Sequence, residues 1–144
     1  MIRVTRKYRL SASHRLHSPA LSDAENREIY GKCNNPYGHG HNYEIAVSVR
    51  GPLDSRSGRA VDIELLDGLV RRQVLEPFDH RNLNEEVAAF RSEAPTSENL
   101  GREVVRRLKQ NWSAVFPSGE PRLEKVFIAE TSRNAFEVSA HEIE

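Results

Sequence analysis

His39 and His41 stand two residues apart in the run HGHNYEIAVSV, where apolar and polar residues alternate. Alternation with a period of two is the pattern of a half-buried strand, so both imidazoles project from the side that carries Tyr43, Ile45, Val47 and Val49. Gly40 between them removes bulk from the opposite side. His14 ends a second alternating run, IRVTRKYRLSASH, on the parity of Tyr8, Leu10 and Ala12. Three neutral imidazoles are the donor set of a catalytic zinc, which keeps its fourth position for water or substrate. A single histidine is more often satisfied by hydrogen bonds in a core or on a surface. Three on apolar parities near strand ends favour a metal. His17, three residues beyond His14, is the rival for third ligand.

Cys33 lies six residues before His39 in KCNNPYGHGH. As a fourth ligand it would close the metal site and make it structural; as a thiolate beside a cation it would be a nucleophile or a base. An isolated cysteine is also commonly a small buried hydrophobe. Asp79 and His80 in EPFDHRNLN can share a proton and set each other's basicity, or face apart on a solvated loop. Glu130 has the parity of Val126 and Ile128, so its carboxylate projects from the apolar side at a strand end and needs donors there. A planar ligand with an N–H edge would supply them, and so would a salt bridge.

These residues need strands and helices to hold them. The alternating runs predict a strand over 2–14 and another from 39, separated by a long excursion over 15–38 that is rich in Ser, Asn, Pro and Gly. Asp62 as N-cap, followed by Ile63, Leu66, Leu69 or Val70 and Val74, predicts a helix over about 62–75 that Pro77 stops. Thr96 or Ser97 caps a second helix carrying Leu100, Val104, Leu108 and Trp112 at intervals of four. RLEKVFIAE and NAFEVSAH predict two last strands around a short turn. The order ββααββ gives one α+β domain over 1–144: a four-stranded antiparallel sheet with two helices on one face.

Composition narrows the function classes. Lys plus Arg (21) balance Asp plus Glu (21), so the overall charge of a nucleic-acid binder is missing. No apolar run approaches the roughly 20 residues of a membrane-spanning helix, and the stretch MIRVTRKYRL lacks the uninterrupted apolar run expected of a secretory signal. One cysteine cannot build an internal disulfide framework. The expectation is a globular cytoplasmic protein with neither a nucleic-acid nor a membrane partner.

The stretches SASHRLHSPALS, GKCNNPYGHGHNYE, FDHRNLN, PTSENL and AETS, in this order and spacing, resemble the 6-pyruvoyl-tetrahydropterin synthases, a family of the tunnelling or T-fold. CNNP-x-GHGHNY is a specific signature, and the matching stretches span most of the chain. The resemblance implies that His14, His39 and His41 bind zinc, that Cys33 is the general base, and that Asp79 and His80 form a proton relay with it. It implies that Glu130 anchors the pterin ring, with Thr96 and Ser97 in the same pocket. The chain departs from the family's eukaryotic members in having Tyr37 where they have a smaller polar residue and Ser97 where they have threonine.

The activity implied is that of a lyase: 7,8-dihydroneopterin triphosphate loses triphosphate and redistributes hydrogen internally to give a pyruvoyl side chain, in a tetrahydrobiopterin-type pathway. The alternative is the sister activity on the same substrate, 6-carboxy-tetrahydropterin synthase of queuosine biosynthesis. Its members place the cysteine three residues from the HGH pair, whereas five, Asn34 to Gly38, intervene here. The resemblance further implies a homohexamer, a dimer of trimers whose strands close into a barrel, with Asp79 and His80 of one subunit completing the Cys33 site of the next. A non-catalytic domain with Cys33 as fourth zinc ligand is the hypothesis from another class.

Overall fold

The two long strands form where the alternation places them. In the computed structural model, which describes residues 1–143, β1 is Ile2–His14 and β2 is His39–Gly51. They pair antiparallel over their full length, from Ile2 opposite Gly51 to His14 opposite His39. The strand β4 (Arg122–Ala129) adds to the other side of β2, and β5 (Ala135–Ser139) adds to β4. A register shift opposite Ser48 and Val49 leaves Glu124 as the extra residue, so that Leu123 and Val126, three apart, both face inward.

The sheet differs from the expected four antiparallel strands. It has five, in the order β3-β1-β2-β4-β5, because β3 (Arg81–Asn82) pairs parallel with Ala12 and Ser13 of β1. Two residues carry no readable alternation, and this strand exists because the preceding residues are hydrogen-bonded to the edge of β1: the His80 N–H donates to the Ser11 carbonyl at 2.6 Å.

More helix is present than expected as well. The excursion 15–38 contains α1 (Asp23–Tyr30), closed at its start by a reciprocal capping box between Ser22 and Glu25, and then a 3₁₀ turn over Gly31–Asn34. Only Asn26 of α1 is buried, so the helix has no apolar stripe to reveal it. The helix α2 (Ile63–Val70) starts at the Asp62 cap. It does not stop short of Pro77 but runs through a π-helical turn, Arg71–Leu75, into α3 (Glu76–Phe78). Proline lacks the amide hydrogen and crowds the carbonyl four residues back, and the wider turn just before it makes room. A short α4 (Leu83–Glu86) follows β3, and α5 (Ser97–Val115) is capped by Thr96, whose hydroxyl accepts from the Asn99 N–H.

One core lies between the sheet and the helices. Leu10, Tyr43, Ile45, Val47, Val126 and Ile128 from the strands meet Leu66, Leu69 and Val70 of α2 and Leu100, Val104 and Leu108 of α5. Each such side chain contributes about 1.5–3 kcal/mol by leaving water. The helix α5 rides so close over the sheet that a Cβ on Gly101 would stand 2.8 Å from Val138 Cγ2. Thr5, Arg9, Ser11, Asn42 and Glu44 occupy the opposite, polar face. No helix among the described residues is long and apolar enough to cross a membrane.

Candidate active site

The inward parity of β1 and β2 ends in histidine on both strands. Their donor nitrogens and that of His41 all lie within 4.8 Å of one another, the described cluster of metal-ligand type. His14 Nε2 and His39 Nε2 are 3.1 Å apart, and the three rings meet edge to face with centroids 4.7–5.0 Å apart. His14 is 1% exposed and His39 and His41 are half-buried.

Hydrogen bonds fix which nitrogens face inward. His14 Nδ1 lies 2.7 Å from the Pro95 carbonyl, which can only accept, so Nδ1 carries the hydrogen and Nε2 presents its lone pair to His39. Burial holds the His14 imidazolium pKa down to about 4, and burial followed by the neighbouring His41 lowers that of His39. Both are thus in the neutral form that a metal requires. His41 Nε2 is buried and makes no hydrogen bond. Glu130 Oε1 is only 3.1 Å from it, without the direction of a hydrogen bond. On a tetrahedral zinc with Zn–N of about 2.0–2.1 Å, two nitrogens stand roughly 3.3 Å apart, close to the His14–His39 separation. Converging lone pairs and an orphaned nitrogen fit a cation.

Glu130, at the end of β4, lies over this cluster, 19% exposed at its side chain. Its Oε2 accepts from the buried Ser97 hydroxyl at 2.6 Å. Ser97 is the first residue of α5, whose positive N-terminal end favours an anion there. Thr96 uses its hydroxyl as the helix cap, so of the two pocket candidates it is Ser97 that reaches Glu130. Tyr43 packs its ring beside His41 and His14, which pushes the phenol pKa up through burial and through the Glu130 charge.

Cys33 is half-buried in the 3₁₀ turn after α1, and its thiol is not part of the histidine cluster. His17 is turned elsewhere, with Nδ1 3.1 Å from the Asn34 amide. Asp79 and His80 follow α3. Asp79 Oδ1 accepts the Ser11 N–H at 2.9 Å, while His80 takes a left-handed backbone, φ 58°, and leaves its ring 82% exposed. The two side chains are 3.6 Å apart, beyond hydrogen-bond distance. His80 borders a depression with Ser11, Ala12, Ser13, Gly40, His41 and Asn42. One chain brings together the triad and Glu130, and among the described residues no hydrogen bond or ion pair joins them to Asp79 or His80.

A family model described as 6-pyruvoyl tetrahydropterin synthase matches residues 3–141. The chain belongs to this family. The 6-pyruvoyl tetrahydrobiopterin synthase of Poecilia reticulata is 41% identical over 131 residues, 91% of this chain and 85% of its own length. That of Drosophila melanogaster is 48% identical over 97 residues, covering 67% of this chain and 58% of its own length. The structure of Caenorhabditis elegans 6-pyruvoyl tetrahydropterin synthase superposes with a TM-score of 0.88 at 42% identity, covering 96% of this chain and 94% of that one.

Within this synthase family fold, sequence reading missed the parts that contribute backbone groups or amides. The Pro95 carbonyl that orients His14 has no side chain to notice. Asn84, which accepts the Arg15 N–H at 2.7 Å and donates to the Arg15 carbonyl at 2.9 Å, steadies the chain just after His14. Tyr43 was legible by parity, two residues beyond His41.

Proposed function

We propose that the chain is a zinc-dependent 6-pyruvoyl-tetrahydropterin synthase, a carbon–oxygen lyase acting on 7,8-dihydroneopterin triphosphate. The observation that carries this reading is the convergence of three imidazole nitrogens beneath a carboxylate held by a buried serine, in a chain of this family. His14, His39 and His41 would hold the ion, which when bound supplies a Lewis acid that polarises substrate oxygen and acidifies the adjoining C–H. Glu130 accepts two N–H donors from the aminopyrimidinone edge of the pterin, with Ser97 fixing one carboxylate oxygen and Thr96 lining the same pocket. Cys33 as thiolate takes the carbon-bound proton.

Asp79 and His80 return protons to the other carbon, acting on the Cys33 site of a neighbouring copy. Two observations support that placement: the His80 ring is 82% exposed and bonded to none of its own histidine cluster, and Ile2–Leu10 of β1 carry no strand on their outer side among the described residues. Open edges at both ends of a sheet are what closure into a barrel removes. The homohexamer and a cytoplasmic location follow the family resemblance.

The test is incubation of zinc-loaded protein with 7,8-dihydroneopterin triphosphate and mass analysis of the products. The pyruvoyl pterin with free triphosphate is expected. A 6-carboxy pterin would move the chain to the sister activity, and unchanged substrate would sink both.

A further inference from the structure

Asn34 is 3% exposed, an unusual burial for an amide on an excursion between strands. Its side chain donates to the Leu16 carbonyl at 2.7 Å and lies 3.1 Å from His17 Nδ1. Its side-chain oxygen accepts from the Arg15 guanidinium at 3.3 Å, and its backbone carbonyl accepts from Arg15 Nε at 2.9 Å. One residue earlier, the Cys33 carbonyl accepts the Leu16 N–H at 2.9 Å. All these bonds join the turn that carries Cys33 to Arg15, Leu16 and His17, the residues that follow His14.

Both ends of this connection are immobilised. Arg15 is gripped on its backbone by Asn84, and His14 on its ring by Pro95. Beyond Asn34 the chain turns back to His39 through Gly38, whose N–H donates to the Asn35 carbonyl at 2.9 Å and whose φ is 72°. A Cβ on Gly38 would stand 2.9 Å from the His14 carbonyl oxygen, so the turn is pressed against the same residue. We infer that Asn34 is a positioning residue: its buried amide locks the Cys33 turn onto Arg15–His17 and so fixes where the thiol stands relative to the histidine cluster.

The inference rests on the reading of Cys33 as base, since a base displaced from its proton works poorly. Misplacement by about 1 Å can cost on the order of 10²-fold in rate while leaving substrate binding intact. Replacing Asn34 therefore acts on kcat and not on KM or on the metal.

Cys33 is the chain's single cysteine, so alkylation by iodoacetamide reports on that thiol alone. In zinc-loaded N34A and N34D, zinc content and KM should match the parent, kcat should fall roughly 10- to 100-fold, and the alkylation rate should change several-fold. R15M, which removes only the guanidinium bonds, should do the same to a smaller extent and serves if the buried substitutions do not fold. Unchanged kcat and alkylation in the folded variants would overturn the inference, as would loss of zinc in step with turnover, which would make Asn34 a support of the metal. Should C33A be as active as the parent, the reading of Cys33 as base falls, while the alkylation rates still decide whether Asn34 places the thiol.

Discussion

Each histidine of the cluster is committed differently, and this makes the ligand assignment testable one residue at a time. His14 Nε2 and His39 Nε2 face each other at 3.1 Å and His41 leaves a buried nitrogen without a partner, whereas His17 is engaged by Asn34. Elemental analysis should find zinc lost from H39A and retained by H17A. The C33A protein should keep its zinc and fold but lose about 10²- to 10⁴-fold in kcat, the usual cost of removing a general base; zinc lost along with the sulfur would restore the fourth-ligand reading. E130Q keeps the size of the side chain but offers one acceptor in place of two. A non-reactive pterin titrated into it should bind about 1.5–3 kcal/mol more weakly, the scale of a charged hydrogen bond, with zinc unchanged. At this scale the histidines of the cluster were legible because parity on a strand decides which way a side chain points. The groups that aim them were not, because Pro95 contributes a carbonyl and Asn34 acts through an amide whose partners lie across a loop.

The elements that position these residues are tied by polar contacts as well as by the core. Tyr8 and Arg6 of β1 reach Asp67 of α2: the phenol donates to Oδ1 at 2.7 Å and the guanidinium binds both oxygens. The Arg6 hydrogen bond, against partial burial, holds the Asp67 carboxyl below its usual range. A carboxylate whose pKa is lower folded than unfolded contributes stability above the unfolded value of about 3.9 and loses it as pH falls toward the folded value. Thermal unfolding should show D67N less stable than the parent at pH 7, with the gap closing below about pH 4. The elements themselves were legible where one face is buried: β1, β2, β4 and β5 alternate, and α2 and α5 carry apolar residues at helical spacing. The missed ones have other causes. The helix α1 buries only Asn26, β3 is a consequence of the contacts Asp79 and His80 make with Ser11, and the passage through Pro77 depends on a π-helical turn that no residue pattern announces.

At the scale of the whole molecule, the His80 ring turns to solvent beside the edge of β1, and mixing tests whether it serves a neighbouring copy. Inactive C33A and inactive H80A, unfolded together and refolded, should regain activity in mixed oligomers that join an intact Cys33 to an intact His80. Verified mixed oligomers without activity would return the site to a single chain. The α+β class was readable, whereas the fifth strand and the exposure of His80 became visible only in the fold. The cluster also sits at a mechanically particular place, the last rung of the β1–β2 ladder, where His14 faces His39 and the chain departs into residues 15–38. Ladder ends are where sheets open first. An ion gripping both histidines would act as a clasp, closing a long loop in the way a disulfide does and with the same bias against the open chain. The atoms that prepare the site for chemistry would then also be its fastener, so that starving the protein of metal loosens the mouth of the sheet as well as silencing turnover.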